Sequence, residues 1–450
     1  MDNILEKHVV EDLSNGGFVL VLNTGSEIDG QAEAMLQALH SRSTGGIKHH
    51  LKMLKEKGAE NFMEQFYVGY GHKSIGDCGS GTVFVEGVSM LAAKAIQDWR
   101  LYSGQEASTR YVDFSDQKFL DPTNTKEGIE ILENWRKFYL DSQKPVQKHL
   151  KNKFPKGEGE SQDVYDKAIK VRAFDITRSF LPAGATTNLA WRMNFRQFAD
   201  ELMLLRHHPL AEVRDIAEKT EKALGKIYSS SFCHERFSKT EKYNKKWMQE
   251  KYYYKNNKAK DFSLIYDNVD KDRLSVYKNV LKNRPAKTEL PMAIAECGVV
   301  AYEFLLDFGS FRDLQRHRAI AQRMPLLTRD HGFNEWYLNA LPKKLKEETK
   351  EFIKLQEKRI EKLNIKEEDE QYFTAMGYQV PCFFSGDLKA LVYLVELRST
   401  RFVHPTLVAQ ILKTIKSLKS IFQKYGLVLH LDDEPNRFDI RRGEQDITEK

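Results

Sequence analysis

Four cysteines, Cys78, Cys233, Cys297 and Cys382, are scattered through 450 residues, and no two form a CxxC pair. That spacing excludes a zinc ribbon and a thioredoxin-like dithiol, and leaves reduced, mostly buried thiols as the expectation. No apolar run approaches the roughly 20 residues needed to cross a bilayer, so no membrane partner is expected. The opening Met1-Asp2-Asn3-Ile4-Leu5-Glu6-Lys7 lacks the basic-then-apolar order of a secretory signal. The expected location is therefore the cytoplasm. No Gly-rich phosphate loop of Rossmann or Walker type occurs, so any phosphate must be held by side chains. Nor is there a strong excess of one charge: 70 basic residues face 64 acidic ones, a net charge of +6. That balance argues against a nucleic-acid partner on charge alone, while suiting small phosphorylated ligands.

What is present is an ordinary globular composition, 41% apolar and 30% charged, in a chain long enough for two domains with separate cores. Residues 17–23 read as an opening strand, 31–54 as helical pieces broken at Gly45-Gly46, 82–88 as a β-branched strand and 90–100 as a helix. Two segments then read as the same unit twice. The first runs from Asn194 through Leu204-Leu205-Arg206 to His208-Pro209. The second runs from Asp387 through Glu396-Leu397-Arg398 to His404-Pro405. Each His-Pro is followed by an amphipathic helical pattern, with Pro suited to the first helical position. Between the copies, Glu235 to Asp261 interleaves Lys242, Lys245, Lys246 and Lys251 with Trp247, Tyr252, Tyr253 and Tyr254. The simplest reading of it is a solvated connector helix whose aromatics pack on the domains. The stretch 344–370 carries i,i+4 Glu/Lys pairs, the pattern of an exposed helix.

Three groups of residues could carry chemistry. Arg316-His317-Arg318, with Arg312 one helical turn earlier, concentrates cations that are costly to bury without anions. Arginine forks match phosphate oxygens, although a basic surface turn would also account for the cluster. Gln105 to Tyr111 packs Glu106, Ser108, Thr109 and Arg110 into a loop of donors and acceptors suited to a nucleotide. Arg178, ahead of Leu181-Pro182, is either an ion-pair partner or an anion ligand.

Taken together, these residues resemble the flavin-dependent thymidylate synthases, the ThyX family. Their signature is Arg-His-Arg, seven residues, Ser, then Arg-Tyr. Here it is divided between the copies: Ser108 and Arg110-Tyr111 stand in the first, Arg316-His317-Arg318 in the second. The resemblance implies an α+β fold of two tandem domains, each an antiparallel sheet with packed helices. We place them at 1–235 and 263–450, with the charged connector at 236–262. It implies reductive methylation of dUMP to dTMP with FAD, NADPH and methylenetetrahydrofolate. Contacts to dUMP would come from Glu106, Ser108, Arg110, Arg178, Arg316 and Arg398, and Arg398 would be catalytic by polarising the uracil. FAD and folate contacts would come from His72, Glu106, Asn194, Arg196, Arg316, His317 and Arg318.

Each copy lacks what the other keeps. The first has Asp98-Trp99 for Arg-His. The second has Met324 and Leu326 for the Glu and Ser, Asp387 and Lys389 for the Asn and Arg, and Gly377 where Arg178 would repeat. The expectation is one composite site, and a homodimer imitating the family's tetramer. A flavoenzyme modifying another pyrimidine nucleotide at C5, or a non-catalytic nucleotide- or nucleic-acid-binding descendant, are the alternatives.

Overall fold

The computed structural model describes residues 6–107 and 114–432. Along the chain come strands β1 (Val9–Asp12) and β2 (Phe18–Val21), helices α1 (Gly30–Arg42) and α2 (Gly46–Lys57), β3 (Ser80–Ser89) and α3 (Met90–Gln97). Next are α4 (Lys126–Lys153), α5 (Gln162–Thr177), β4 (Thr186–Asn194), α6 (Phe195–Leu205), α7 (Ala211–Ile227) and α8 (Ser238–Tyr252). The remainder holds β5 (Phe262–Asp267), β6 (Val299–Asp307), α9 (Phe308–Leu314), β7 (Ala321–Arg323), α10 (Lys343–Leu363), β8 (Gln379–Asp387), α11 (Leu388–Arg398) and α12 (Pro405–Phe422), with shorter turns between. The strands form two antiparallel four-stranded sheets, ordered β1-β2-β3-β4 and β5-β6-β8-β7, and the α+β expectation holds.

The two sheets are built alike. In the first, Ser80 pairs with Asn194 and Ser89 with Thr186; in the second, Val299 pairs with Asp387 and Asp307 with Gln379. One constant shift in numbering carries Arg178–Phe180 onto Gln371–Phe373, β4 onto β8 and α6 onto α11. A second shift carries Ser89 onto Asp307 and the Ser103–Arg192 bridge onto the Ala321–Ser385 pair. The four strand-to-helix junctions share one device. Ser89, Asn194, Asp307 and Asp387 each cap the helix that follows, accepting from the backbone N–H three residues on. Each such cap contributes about 1 kcal/mol.

The chain divides into two compact units that are not contiguous: Met1–Ala107 with Ala185–Tyr252, and Ser108–Gly184 with Tyr253–Lys450. This differs from the contiguous division at 235 and 263. Within the first unit, β3 and β4 bury Val83, Val85, Leu189, Trp191 and Met193. Helix α7 buries Val213, Ile216, Ala217, Thr220 and Leu224 and packs on β1 and β2. Burying one Leu or Ile side chain of this kind stabilises by roughly 1.5–3 kcal/mol. Pro209 lies two residues short of this helix, which starts at Ala211, whereas Pro405 does open α12 with His404 as its cap.

In the second unit, α12 lays Leu407, Ile411, Ile415 and Leu418 against β6, where Val300, Tyr302, Phe304 and Leu306 are buried. The segment 108–184 joins this unit through a short ladder with the residues before β8. Ala183 N–H donates to Thr374 O at 2.9 Å and Met376 N–H to Leu181 O at 2.8 Å. Gly184 N–H donates to Tyr372 O at 3.1 Å and Gly377 N–H to Ser179 O at 2.9 Å. The bonds come in mirrored pairs, because 181 corresponds to 374 and 184 to 377 under the same shift. Pro182 faces Ala375, its own counterpart. A Cβ on Gly184 would fall 2.6 Å from Tyr372 O, so only glycine admits this approach. Beside the ladder, Phe138 stacks on Phe352 at 4.1 Å and Trp135 Nε1 donates to Phe373 O at 3.0 Å. The charged helix α10 is thus not wholly exposed: Leu345, Thr349, Ile353, Gln356 and Ile360 are buried along one face.

Candidate functional site

The cation cluster lies in the second unit. Helix α9 ends at Leu314, so Arg312 is helical while Arg316, His317 and Arg318 follow in a turn. Gln322 Nε2 steadies that turn by donating to the carbonyls of Gln315 and His317 at 3.1 and 3.3 Å. His317 is buried, and its Nε2 accepts from Nε of Arg398, the last residue of α11, at 2.6 Å. This bond requires Nε2 to be unprotonated. Burial first, then the neighbouring Arg398, pulls the imidazole down to about 3. His317 is therefore a neutral ring that holds an arginine by its Nε. The Tyr393 ring lies 5.9 Å away.

Arg178 belongs to the same unit. It starts the turn Arg178–Phe180 at the end of α5 and is buried. Its Nη1 is 3.9 Å from Asp175, and its Nε and Nη2 have no hydrogen-bond partner among the described residues. Those two nitrogens form the side-on edge of the guanidinium, the edge that grips carboxylate or phosphate with two parallel bonds. Burial opposes the charge, but Asp175, Tyr337, Asp313 and Asp307 together favour it and raise the guanidinium above its ordinary value. Asp313 also acts on His317. Arg178 and the Arg-His-Arg turn, from different copies of the repeat, thus share one acidic neighbour.

Several residues around this cluster have roles the sequence did not show. Asp307 caps α9 and accepts from Tyr337 Oη at 2.8 Å. His404 bonds Thr406 through Nδ1 and the carbonyl of Asp175 through Nε2 at 3.1 Å, tying the start of α12 to the turn ahead of Arg178. Its His-Pro pairing was legible, but its partner 229 residues away was not. The repeat also corrects one alignment. Gln371, not Gly377, occupies the counterpart of Arg178, and Gly377 is the counterpart of Gly184. Gln371 is buried, accepts from Leu327 N–H at 2.8 Å and donates to Glu368 O. A neutral amide, fully engaged with backbone, offers no anion grip. Met324 and Leu326 are buried apolar residues, and Lys389 is paired with Glu289.

His72, Glu106, Asn194 and Arg196 lie in the first unit. His72 is exposed, after Gly71 at φ 68°, with its ring 6.2 Å from that of Tyr70. Glu106 accepts from Gln97 Nε2 at 2.7 Å and bridges to Leu189. Asn194 caps α6. Arg196 pairs through Nε with Asp77 at 2.9 Å and lines a cleft of about 210 Å³ with Tyr67, Lys73, Asp200 and His234. Arg206 is not the positional match of Arg398: α6 ends at Leu205, and Arg206 is spent on ion pairs with Glu221 and Glu241 at 3.1 and 3.0 Å. Ser108 and Arg110 lie outside the described residues. Among the described residues no His, Cys, Asp and Glu cluster is arranged to hold a metal ion, and no helix is long and apolar enough to cross a membrane.

Comparison with known proteins finds distant relatives along most of the chain. The chain is 25% identical over 399 residues to a UPF0159 protein of Chlamydia pneumoniae, covering 76% of this chain and 75% of that one. A UPF0159 protein of Thermoplasma acidophilum is 24% identical over 454 residues, covering 84% and 90%. A flavin-dependent thymidylate synthase of Thermococcus onnurineus is 25% identical over 172 residues, covering 37% of this chain and 62% of that one. Residues 23–228, which span the first copy of the repeat, match the family described as thymidylate synthase complementing protein. Over that stretch, the chain is similar to the thymidylate synthase complementing proteins.

Proposed function

We propose that this protein is a flavin-dependent thymidylate synthase that converts dUMP to dTMP at one site assembled from both copies of the repeat. The observation that carries the reading is Arg178, whose buried side-on edge lacks a hydrogen-bond partner among the described residues and which feels the charge of Asp313, as His317 does. A phosphate would supply two acceptors to that edge. Arg110, Ser108 and Glu106 would complete the nucleotide contacts, with Arg316. Arg398, held at Nε by the neutral His317, would direct its guanidinium at a uracil carbonyl and stabilise charge developing there. FAD would be held by His72, Glu106, Asn194, Arg196, Arg316, His317 and Arg318. The fit rests on the donor set, which mixes amide, imidazole and guanidinium groups suited to pyrophosphate and ring edges. When bound, the flavin supplies hydride transfer, with methylenetetrahydrofolate giving the carbon and NADPH the electrons.

The test is to incubate purified protein with FAD, NADPH, methylenetetrahydrofolate and dUMP and weigh the nucleotide product. The expected gain is one methyl group. Protein that binds no FAD by calorimetry, or leaves dUMP unchanged while binding FAD, overturns the reading. The relatives aligned over three quarters of the chain carry the name UPF0159 protein rather than a synthase name. That favours keeping a second reading, modification of another pyrimidine nucleotide at C5, which the same mass measurement identifies.

A further inference from the structure

Asp98 stands at the counterpart of Arg316, Lys94 at that of Arg312 and Glu201 at that of Leu394. These exchanges do more than remove an anion site. Asp98 is paired with Lys94 at 2.9 Å and with Lys251, from the end of α8, at 3.5 Å. The next residue, Tyr252, is buried to 3% exposure and donates its hydroxyl to Asp98 at 3.0 Å. The Tyr252 ring meets the His208 imidazole in a T-shaped contact, with centroids 4.4 Å apart, and the Lys94 ammonium lies 5.1 Å from its centroid. Buried Glu201 stands within electrostatic reach of the same group. A phenol held by a carboxylate at its hydroxyl, an imidazole in T-shaped contact and an ammonium near its ring is bound as a ligand is bound.

We propose that the pocket of Lys94, Asp98 and His208 is a binding site for a phenol-like ring, and that the chain's own Tyr252 is its tethered occupant. Helix α8 delivers the ring. Its far end is anchored by Glu241, which accepts from Arg206 and bonds His207 at 2.8 Å, and Asn244 and Met248 bury between the two anchors. In this unit the counterpart of the Arg-His-Arg turn is therefore closed by protein, with a carboxylate reversing the charge that an anionic ligand would need. The inference rests on the repeat and on these contacts, and is independent of the synthase reading.

The experiment uses the full chain and no nucleotide or flavin. In Tyr252→Ala, p-cresol should raise the melting temperature saturably, as a ligand of the vacated pocket does. Toluene, which cannot donate to Asp98, should bind at least ten-fold more weakly, and neither should stabilise the wild type. Absence of stabilisation by p-cresol, or equal stabilisation by toluene, overturns the proposal. If Tyr252→Ala does not fold, Tyr252→Phe and Glu241→Gln are compared by amide exchange across 244–252. Exchange at least ten-fold faster in Tyr252→Phe supports the tethered ligand, and loosening confined to Glu241→Gln overturns it.

Discussion

At the scale of single residues, Arg178 and His317 carry different kinds of consequence. Arg178→Ala removes a two-bond grip and should weaken dUMP binding roughly 10- to 150-fold, from about 1.5–3 kcal/mol for a charge-assisted contact. Arg178→Lys should not restore it, since an ammonium cannot present two parallel donors. Calorimetric titration with dUMP checks both, and unchanged affinity in Arg178→Ala would remove this residue from the site. His317 acts through the proton balance of folding. Its imidazole is held near 3 in the folded protein against an ordinary value of 6.5. Between those values the unfolded chain takes up a proton that the folded one refuses, so stability falls as pH falls from 6.5 toward 3. Urea unfolding of His317→Gln should show a shallower loss of stability across that window than the wild type. The type of each residue was readable in the sequence. What was not readable was that Arg178 would share Asp313 with His317, since contacts between distant segments leave no local pattern.

Among the elements, the capped junctions offer a clean comparison. Asn194 and Asp387 occupy equivalent positions and cap equivalent helices, yet only Asn194 belongs to the proposed flavin contacts. Asp387→Ala should cost about 1 kcal/mol in chemical unfolding and leave FAD affinity unchanged. Asn194→Ala should lose a similar amount and bind FAD more weakly. Equal flavin affinity in the two variants would reduce Asn194 to a cap. Most elements were legible, because β3, α7 and α12 follow plain period-2 or 3.6 patterns and α3 is helical in composition. The errors came where a local rule met tertiary structure. Pro209 precedes its helix by two residues because Leu210 is the cap. The lysine-rich helix α8 packs an aromatic on its neighbours as expected, but the sequence did not show that Tyr252 would reach Asp98.

On the scale of the whole molecule, the repeat makes a claim about number. Two positions that would need an arginine in a second site hold Asp98 and Gln371, and one that would need a hydroxyl holds Leu326. Titration should therefore saturate at one dUMP per 450-residue chain, and two per chain would show that both sets of positions work. The doubling of the fold was legible as a doubled motif. The exchange of 108–184 into the second unit was not, since hydrophobic periodicity reports which face of a helix is buried and never against what.

The ladder between 179–184 and 372–377 also sets a clock. During synthesis Gly184 emerges long before Tyr372, and at roughly 5–20 residues per second the wait is on the order of 10–40 s. Through that interval Trp135 has no carbonyl of Phe373 to meet and Phe138 no Phe352 to stack on. The helical pair 126–177 must stay unspent, partly folded and exposed, until the second half of the chain arrives. The side of the ladder made first must therefore be held until the segment that mirrors it exists.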